Sequence, residues 1–413
     1  MSRRRRQNPF AKRTPVDWGA RIALALGLAV GGYLGFTASA ANVVVKVDPA
    51  RAHLLAPSNG VITADYAQTL FTRHPTADNN ARSVRLAREA LRQDPTTVEA
   101  LTVLGLQAQL RNDAARTDRI FSYSTLLSRR ELRPKIWAIE DAVTRGDIAE
   151  ALRQYDLALR TSFDAQALLF PTLTAALAEP RIRAGVLRIL ATNPVWEESF
   201  VNYASASDIN PEGAMRLFAE GRQTGLVIPK DRRADLVNAL FRAGKADMAW
   251  KAYADLRSGA VRNQSRDPEF ALTANTRTIF DWQVGEDPSL SAAILKSGDS
   301  AGVVDFAVPP GTGGVLVHQT ELLPPGDYRL EGKSTGIDQP ERSQPYWVLT
   351  CQDGREAGGI PVPNSTQNKG AFSGNFTIPQ GCPIQTLSLI AVSSDDISGV
   401  SGQIVRAQLT SGE

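Results

Sequence analysis

The side chains able to do chemistry are few and lie far apart. Cys351 and Cys382 are the only cysteines in the 413 residues, and His53, His74 and His318 the only histidines. They have no ligand spacing between them, so a zinc site lacks its raw material. The sequence contains no phosphate-binding glycine loop, no G-x-S-x-G elbow and no H-E-x-x-H pair. Gly311-Thr-Gly-Gly314 is glycine-rich, but neither a lysine nor a helical pattern follows, so it reads as a hairpin turn. His318 falls in a strand-like run, where a lone histidine is far more often structural than catalytic. Acid–base work on a glycosidic bond would take two carboxylates from distant positions. Glu286, Asp287, Asp305 and Glu321 are on hand, with nothing to raise them above surface charge. Asp395-Asp396 has no third ligand nearby and reads as a solvated turn rather than a calcium site. The expectation is a chain with no catalysis, no cofactor and no metal.

What must position these residues is read from pattern. After about residue 258 helical periodicity stops, and short alternating runs separated by Gly, Pro, Ser and Thr begin. Candidate strands are 278–284, 301–307, 314–320, 327–333, 345–351, 371–377, 384–392 and 402–409. Short strands at near-regular spacing predict an antiparallel sandwich or jelly roll over 270–413. Leu387, Leu389 and Ala391 would share one face, as would Trp347, Leu349 and Cys351. Sugar sites use exposed aromatic faces, and Trp282, Tyr346, Trp347, Phe372 and Phe376 are available. Trp282, Tyr346 and Trp347 are the candidate glycan contacts, although an aromatic at strand spacing is more often core. Tyr346 and Trp347 are adjacent and so face opposite sides. In an exported chain two cysteines pair by default. A Cys351–Cys382 disulfide would add roughly 3–4 kcal/mol by the chain-entropy argument; two buried thiols are the alternative.

The middle of the chain, 60–258, repeats itself. At a shift of 34 residues, Ser83, Thr117 and Ala151 align, as do Ala87, Phe121 and Tyr155, and then Ala90, Ser124 and Ala158. That shift is the tetratricopeptide period. Arg145-Gly-Asp-Ile-Ala-Glu-Ala-Leu-Arg-Gln-Tyr-Asp-Leu-Ala-Leu159 resembles the second half of such a repeat. Gly244, Ala249, Tyr253 and Leu256 keep the same offsets out of period, and Ala100, Leu104 and Gly105 resemble the first-helix signature. Small residues allow the two helices of a unit to cross closely, and the aromatic fills the gap to the next unit. Between 165 and 230 only Pro171, Pro180, Pro194, Pro211 and Pro229 punctuate the pattern, at helix-hairpin spacing. Such an array either offers a concave surface to protein partners or serves as a spacer.

Charge is uneven along the chain. Residues 1–21 hold Arg3, Arg4, Arg5, Arg6, Lys12, Arg13 and Arg21 against Asp17 alone, while the whole chain is only +3. The remainder is therefore acidic, which excludes a basic nucleic-acid-binding domain. Residues 22–45 carry no charge, and as a helix they would span about 36 Å, enough for a bilayer core. The cations before them should stay cytoplasmic and the rest should be exported. Ala38-Ser39-Ala40 also fits a signal-peptidase site, so an uncleaved anchor and a cleaved signal both stand.

Taken together, the chain reads as a multidomain α plus β protein: an N-terminal transmembrane helix, a tetratricopeptide-like helical solenoid and a jelly-roll-like antiparallel sandwich. The final third resembles carbohydrate-binding jelly rolls in its Phe280-Asp-Trp282 opening, its Pro-Pro-Gly-x-Tyr-Arg-Leu turn at 324–330 and its Trp-x-x-x-Cys strand. The layout is similar to that of membrane-anchored tetratricopeptide proteins that accompany bacterial exopolysaccharide assembly. That resemblance implies a single-pass inner-membrane protein, largely periplasmic, that scaffolds envelope proteins. A glycan-binding module on a helical stalk is the second reading, and an unrecognised glycan hydrolase or lyase the third.

Overall fold

The computed structural model describes residues 15–272, 276–296 and 301–412. By its internal contacts the chain forms two compact units, Met1–Ala165 and Gln166–Glu413.

The first unit begins with α1 (Pro15–Val44), a 30-residue helix whose charge-free stretch explains its length. From Ile22 to Phe36 its large apolar side chains are exposed. Ala41 is then buried against Ala52 of α2 (Pro49–Leu55) and Ile62 of α3 (Gly60–Arg73). Antiparallel helices follow: α4 (Arg82–Gln93), α5 (Val98–Leu110), α6 (Ala114–Leu127), α7 (Arg133–Thr144) and α8 (Ile148–Thr161). All nine positions aligned at the 34-residue shift are buried. Their small members sit where helices meet: a Cβ on Gly105 would lie 2.3 Å from the Phe121 ring, so only glycine fits beneath that aromatic. The turns repeat as well. Gly146 adopts φ +72° and Asn112 φ +56°, each just past a helix end. Gly146 N–H donates to the Val143 carbonyl and Asp147 N–H to that of Ala142, closing the last turn in the Schellman manner. Asp113 and Asp147 then cap the next helices by accepting from the Arg116 and Glu150 amides.

The second unit joins helices and sandwich. Its helices are α9 (Asp164–Ala176), α10 (Pro180–Leu190), α11 (Glu197–Ala206), α12 (Pro211–Gln223), α13 (Lys230–Arg242) and α14 (Ala246–Leu256). Pro180 and Pro211 open helices, as expected of punctuation. Pro171 does not: it lies inside α9, where it removes the amide that would bond to Ala167.

The sandwich has ten strands: β1 (Gln283–Val284), β2 (Ser291–Lys296), β3 (Gly302–Val308), β4 (Gly314–Glu321), β5 (Gly326–Thr335), β6 (Tyr346–Cys351), β7 (Glu356–Pro361), β8 (Ala371–Ile378), β9 (Gln385–Ala391) and β10 (Val400–Ser411). They form two five-stranded sheets in the orders β1-β4-β9-β6-β7 and β2-β3-β10-β5-β8, antiparallel at every pairing. The alternation read for Leu387, Leu389 and Ala391 faces the core, against Phe306, Leu349, Phe376 and Ile404. Strands β2 and β7 were not expected. The span 278–284 is mostly not strand: Asp281 turns the backbone by accepting from the Thr278 amide and hydroxyl, which leaves only Gln283–Val284 to pair.

Candidate functional site

Along β5, residues 329, 331, 333 and 335 point outward, and along β8 residues 371, 373 and 375 do. The register sets Glu331 beside Ser373 and Lys333 beside Ala371. On the other side of β5, strand β10 slips register between Ile404 and Arg406, and the extra residue places Arg406 directly opposite Lys333. A bulge of this kind re-aims a side chain out of the regular pleat. The result is a cleft of about 970 Å³ whose polar walls are Glu269, Glu331, Lys333, Asn368, Ser373 and Arg406. Asn368 stands on a short helical turn, 367–370, at φ +48°, a left-handed conformation that asparagine tolerates. That turn is anchored from below: Gly370 abuts the Ser334 carbonyl so closely that a Cβ would lie 2.1 Å from it, and Ser334 Oγ bonds to Ser365 Oγ at 3.0 Å.

The electrostatics of the cleft are uneven. Arg329 holds Glu331 at 2.7 Å, which partly neutralises it. Arg406 donates to Gln408 Oε1, and Lys333 makes no ion pair among the described residues. Like charges directly opposite on neighbouring strands repel. An anion seated between them would relieve that repulsion, and the adjacent hydroxyl and amide groups suit a hydroxylated ligand.

The residues singled out from sequence lie mostly elsewhere. Trp282 is 1% and Trp347 0% exposed, 5.5 Å apart in the core. Neither can offer a face to a sugar, which corrects that expectation: both are inward residues of the sandwich, and Trp282 Nε1–H donates to the Asp267 carbonyl at 3.0 Å. Phe372 and Phe376 are core too. Tyr346 alone of the three contacts remains half-exposed, on the outer face of the other sheet. Cys351 and Cys382 form a disulfide with Cα atoms 5.5 Å apart. Gly311 turns at φ +73° between β3 and β4, which belong to different sheets, so the glycine-rich run is a turn that crosses between sheets and not the hairpin expected. Asp305 accepts from Gln403 Nε2 at 2.7 Å, and Asp287 from Ser289. Asp396 closes its own turn through Ser398, whose amide and hydroxyl hold its carboxyl below the usual range, while Asp395 is exposed. His53 Nδ1 shares a hydrogen bond with Thr63 Oγ1, and His74 ends α3. Burial lowers the pKa of His318, with Glu286 opposing. Among the described residues no group of three or more His, Cys, Asp or Glu converges as a metal site.

Glu321 turns out to belong to a second polar cluster, whose Arg266 and Asp281 were not singled out from the sequence. Arg266 pairs with Glu321 at zero exposure of the carboxylate. It also donates to the carbonyls of Phe280 and Thr320 and lies over the rings of Trp250, at 5.5 Å, and Phe280, at 5.9 Å. Tyr253 of α14, read as a repeat-core position, donates its hydroxyl to Asp281 at 2.7 Å, and Arg257 reaches the same carboxylate at 3.5 Å. Asn238 of α13 accepts from the Ile279 amide. Both carboxylates are fully enclosed, so the cluster is a joint between the last helices and the sandwich, not a surface for substrate.

No family model matches the chain. No curated protein matches it either. Among solved structures, the sandwich resembles the carbohydrate binding module of lichenase 5A from Cellvibrio mixtus, in complex with cellotriose, at 10% identity, 32% of this chain, 98% of that one and TM-score 0.21. The enzymatically active domain of tailspike protein 4 from bacteriophage CBA120 matches at 13% identity and TM-score 0.24, over 33% of this chain and 20% of that one. The glycosylation-associated Gap123 complex from Streptococcus agalactiae matches at 15% and TM-score 0.21, over 31% and 41%. The chain thus spans less than half of the length of these last two.

Proposed function

We propose that this protein is a non-catalytic, single-pass envelope protein, held in the inner membrane by α1 and otherwise periplasmic, whose sandwich binds a glycan with acidic units. The observation that carries this is the pair Lys333 and Arg406, set opposite each other by the β10 bulge in a polar cleft. The apolar helix α1, present as an anchor or signal, and the disulfide both suit the outside of the cytoplasm. On this reading the cleft's groups bind the ligand.

The test is electrophoresis of the full chain in native gels containing either a polyuronate or a neutral glucan. The wild type should be retarded by the polyuronate, and Lys333→Glu with Arg406→Glu should weaken that by about tenfold or more. Equal retardation of both proteins, or none of the wild type, sinks the assignment.

A scaffold role has its own support in the helices. A pocket of about 490 Å³ on α12–α14 has an apolar floor of Met215, Phe218 and Leu236, and a rim where Asp255 pairs with Arg222 at 2.7 Å and Arg233 at 3.2 Å beside Lys251. Such a pocket suits a partly apolar segment of a partner. On this reading the helices are tetratricopeptide-like units that gather proteins of an exopolysaccharide assembly while the sandwich holds the polymer. Mild-detergent purification of the tagged chain, with proteins and sugars both analysed, separates the two roles. Polysaccharide-assembly proteins on the eluate support the scaffold, and glycan without proteins leaves the sandwich as the working part.

A further inference from the structure

We infer that the region around α2 is a membrane-seated collar: its outward apolar side chains lie in the headgroup–acyl boundary of the leaflet through which α1 leaves the bilayer. The inference rests on the anchor reading of α1. The argument is first one of length. If Arg21 marks the cytoplasmic edge of the hydrocarbon, a ~30 Å core takes about 20 residues of helix and ends near Ala41. At Ala41, however, α1 is already packed against Ala52 of α2 and Ile62 of α3. There is no linker between span and fold, so the bilayer surface and the first packed helices coincide.

The second argument is composition. The exposed apolar stripe of α1 does not stop where its other face becomes buried. Phe36, Val43 and Val47 recur at helical spacing, and Val43 and Val47 are 75% and 88% exposed. The stripe passes onto α2, where Leu54 is 80% exposed and Leu55 is also open, and onto the start of α3, where Val61 is exposed. Lys46 stands exposed among them, and Arg51 pairs with Asp48 at the surface. Apolar side chains flanked by cations are what an interfacial segment presents, the first to the acyl boundary and the second to lipid phosphates. In water the same stripe would be an unrelieved apolar patch continuous with a membrane span.

The chain offers a clean probe, because its two cysteines are bonded to each other and no free thiol remains. Val47→Cys, Leu54→Cys, Leu28→Cys and Leu126→Cys would each carry one environment-sensitive fluorophore. The full chain would be reconstituted in nanodiscs of equal parts phosphatidylcholine and phosphatidylglycerol. Quenchers would be carried either high on the acyl chain or at its terminus. Labels at 47 and 54 should lose about half their emission to the shallow quencher and little to the deep one. The label at 28 should answer to the deep quencher and the label at 126, in α6, to neither. If 47 and 54 behave like 126 while 28 is quenched, α1 spans the membrane and the collar does not exist. Blue-shifted emission at 47 and 54 without lipid quenching would mean that a protein surface covers them, which also overturns the inference. If 28 escapes quenching, the anchor reading itself fails and the collar falls with it.

Discussion

Glu321 shows what a single buried carboxylate does to this protein. Burial pushes its pKa up to about 7 although Arg266 opposes the shift. An acid raised in this way keeps its proton in the folded chain over a range where the unfolded chain has already released it. Its contribution is full below the unfolded value of 4.5 and is lost as pH rises through about 7. The unfolding midpoint of the wild type should therefore fall between pH 5 and pH 8 more steeply than that of Glu321→Gln, measured by denaturant titration. Parallel curves would show that Arg266 keeps Glu321 charged throughout. Removing the cation is harsher at pH 8, where Glu321 is otherwise charged: Arg266→Met leaves the buried acid without its partner and should cost about 3–5 kcal/mol. None of this was legible beforehand. Arg266 and Glu321 are 55 residues apart, and a charged residue in a strand-like run carries no mark of burial. The two tryptophans misled for the converse reason, since a core aromatic and a sugar platform have the same one-letter code and the same period.

At the scale of elements, repetition was the most informative signal. A period of 34 located the buried small residues and aromatics of α4, α6 and α8, because helices that stack must place like residues at like contacts. The contact of Gly105 with Phe121 makes this testable. Gly105→Ala should lower stability by about 1–3 kcal/mol through overpacking, and Phe121→Leu in the same chain should restore part of it. An unchanged melting curve for Gly105→Ala would mean that α5 and α6 do not close on each other as described. Eight strand runs were read, but β2 and β7 were not. β7 reads Glu-Ala-Gly-Gly-Ile-Pro, and glycine and proline are turn residues by propensity. They are tolerated here because β7 is an edge strand, paired on one side only. The reverse error at 278–284 came from alternation produced by a turn that Asp281 ties.

For the molecule as a whole, the disulfide and the apolar helix bear on the same question of compartment. A thiol-labelling assay on protein unfolded without reductant should find Cys351 and Cys382 unreactive, and reduction should cost about 3–4 kcal/mol. Two reactive thiols in material drawn from its native membranes would argue that these residues never met an oxidising compartment. The broad architecture was open to the eye in the sequence, since composition, period and alternation each report a whole segment. The cleft was not, because it depends on one slipped register in β10 that no local pattern announces.

The joint has a mechanical consequence. Strand β10, which carries Arg406, is also the strand laced to the chain leaving α14: the amide of Ser265 donates to the Leu409 carbonyl, its hydroxyl accepts from the Leu409 amide, and Gln264 bridges to Thr410. A polymer tugging on the cleft would load that lacing lengthwise, in shear, where several hydrogen bonds must yield together rather than one by one. Behind it Arg266 and Asp281 tie the same region to α14, and the Ile279 amide ties it to Asn238 of α13. On the glycan-binding proposal, a load on the cleft would pass through these contacts to the last helices of the second unit.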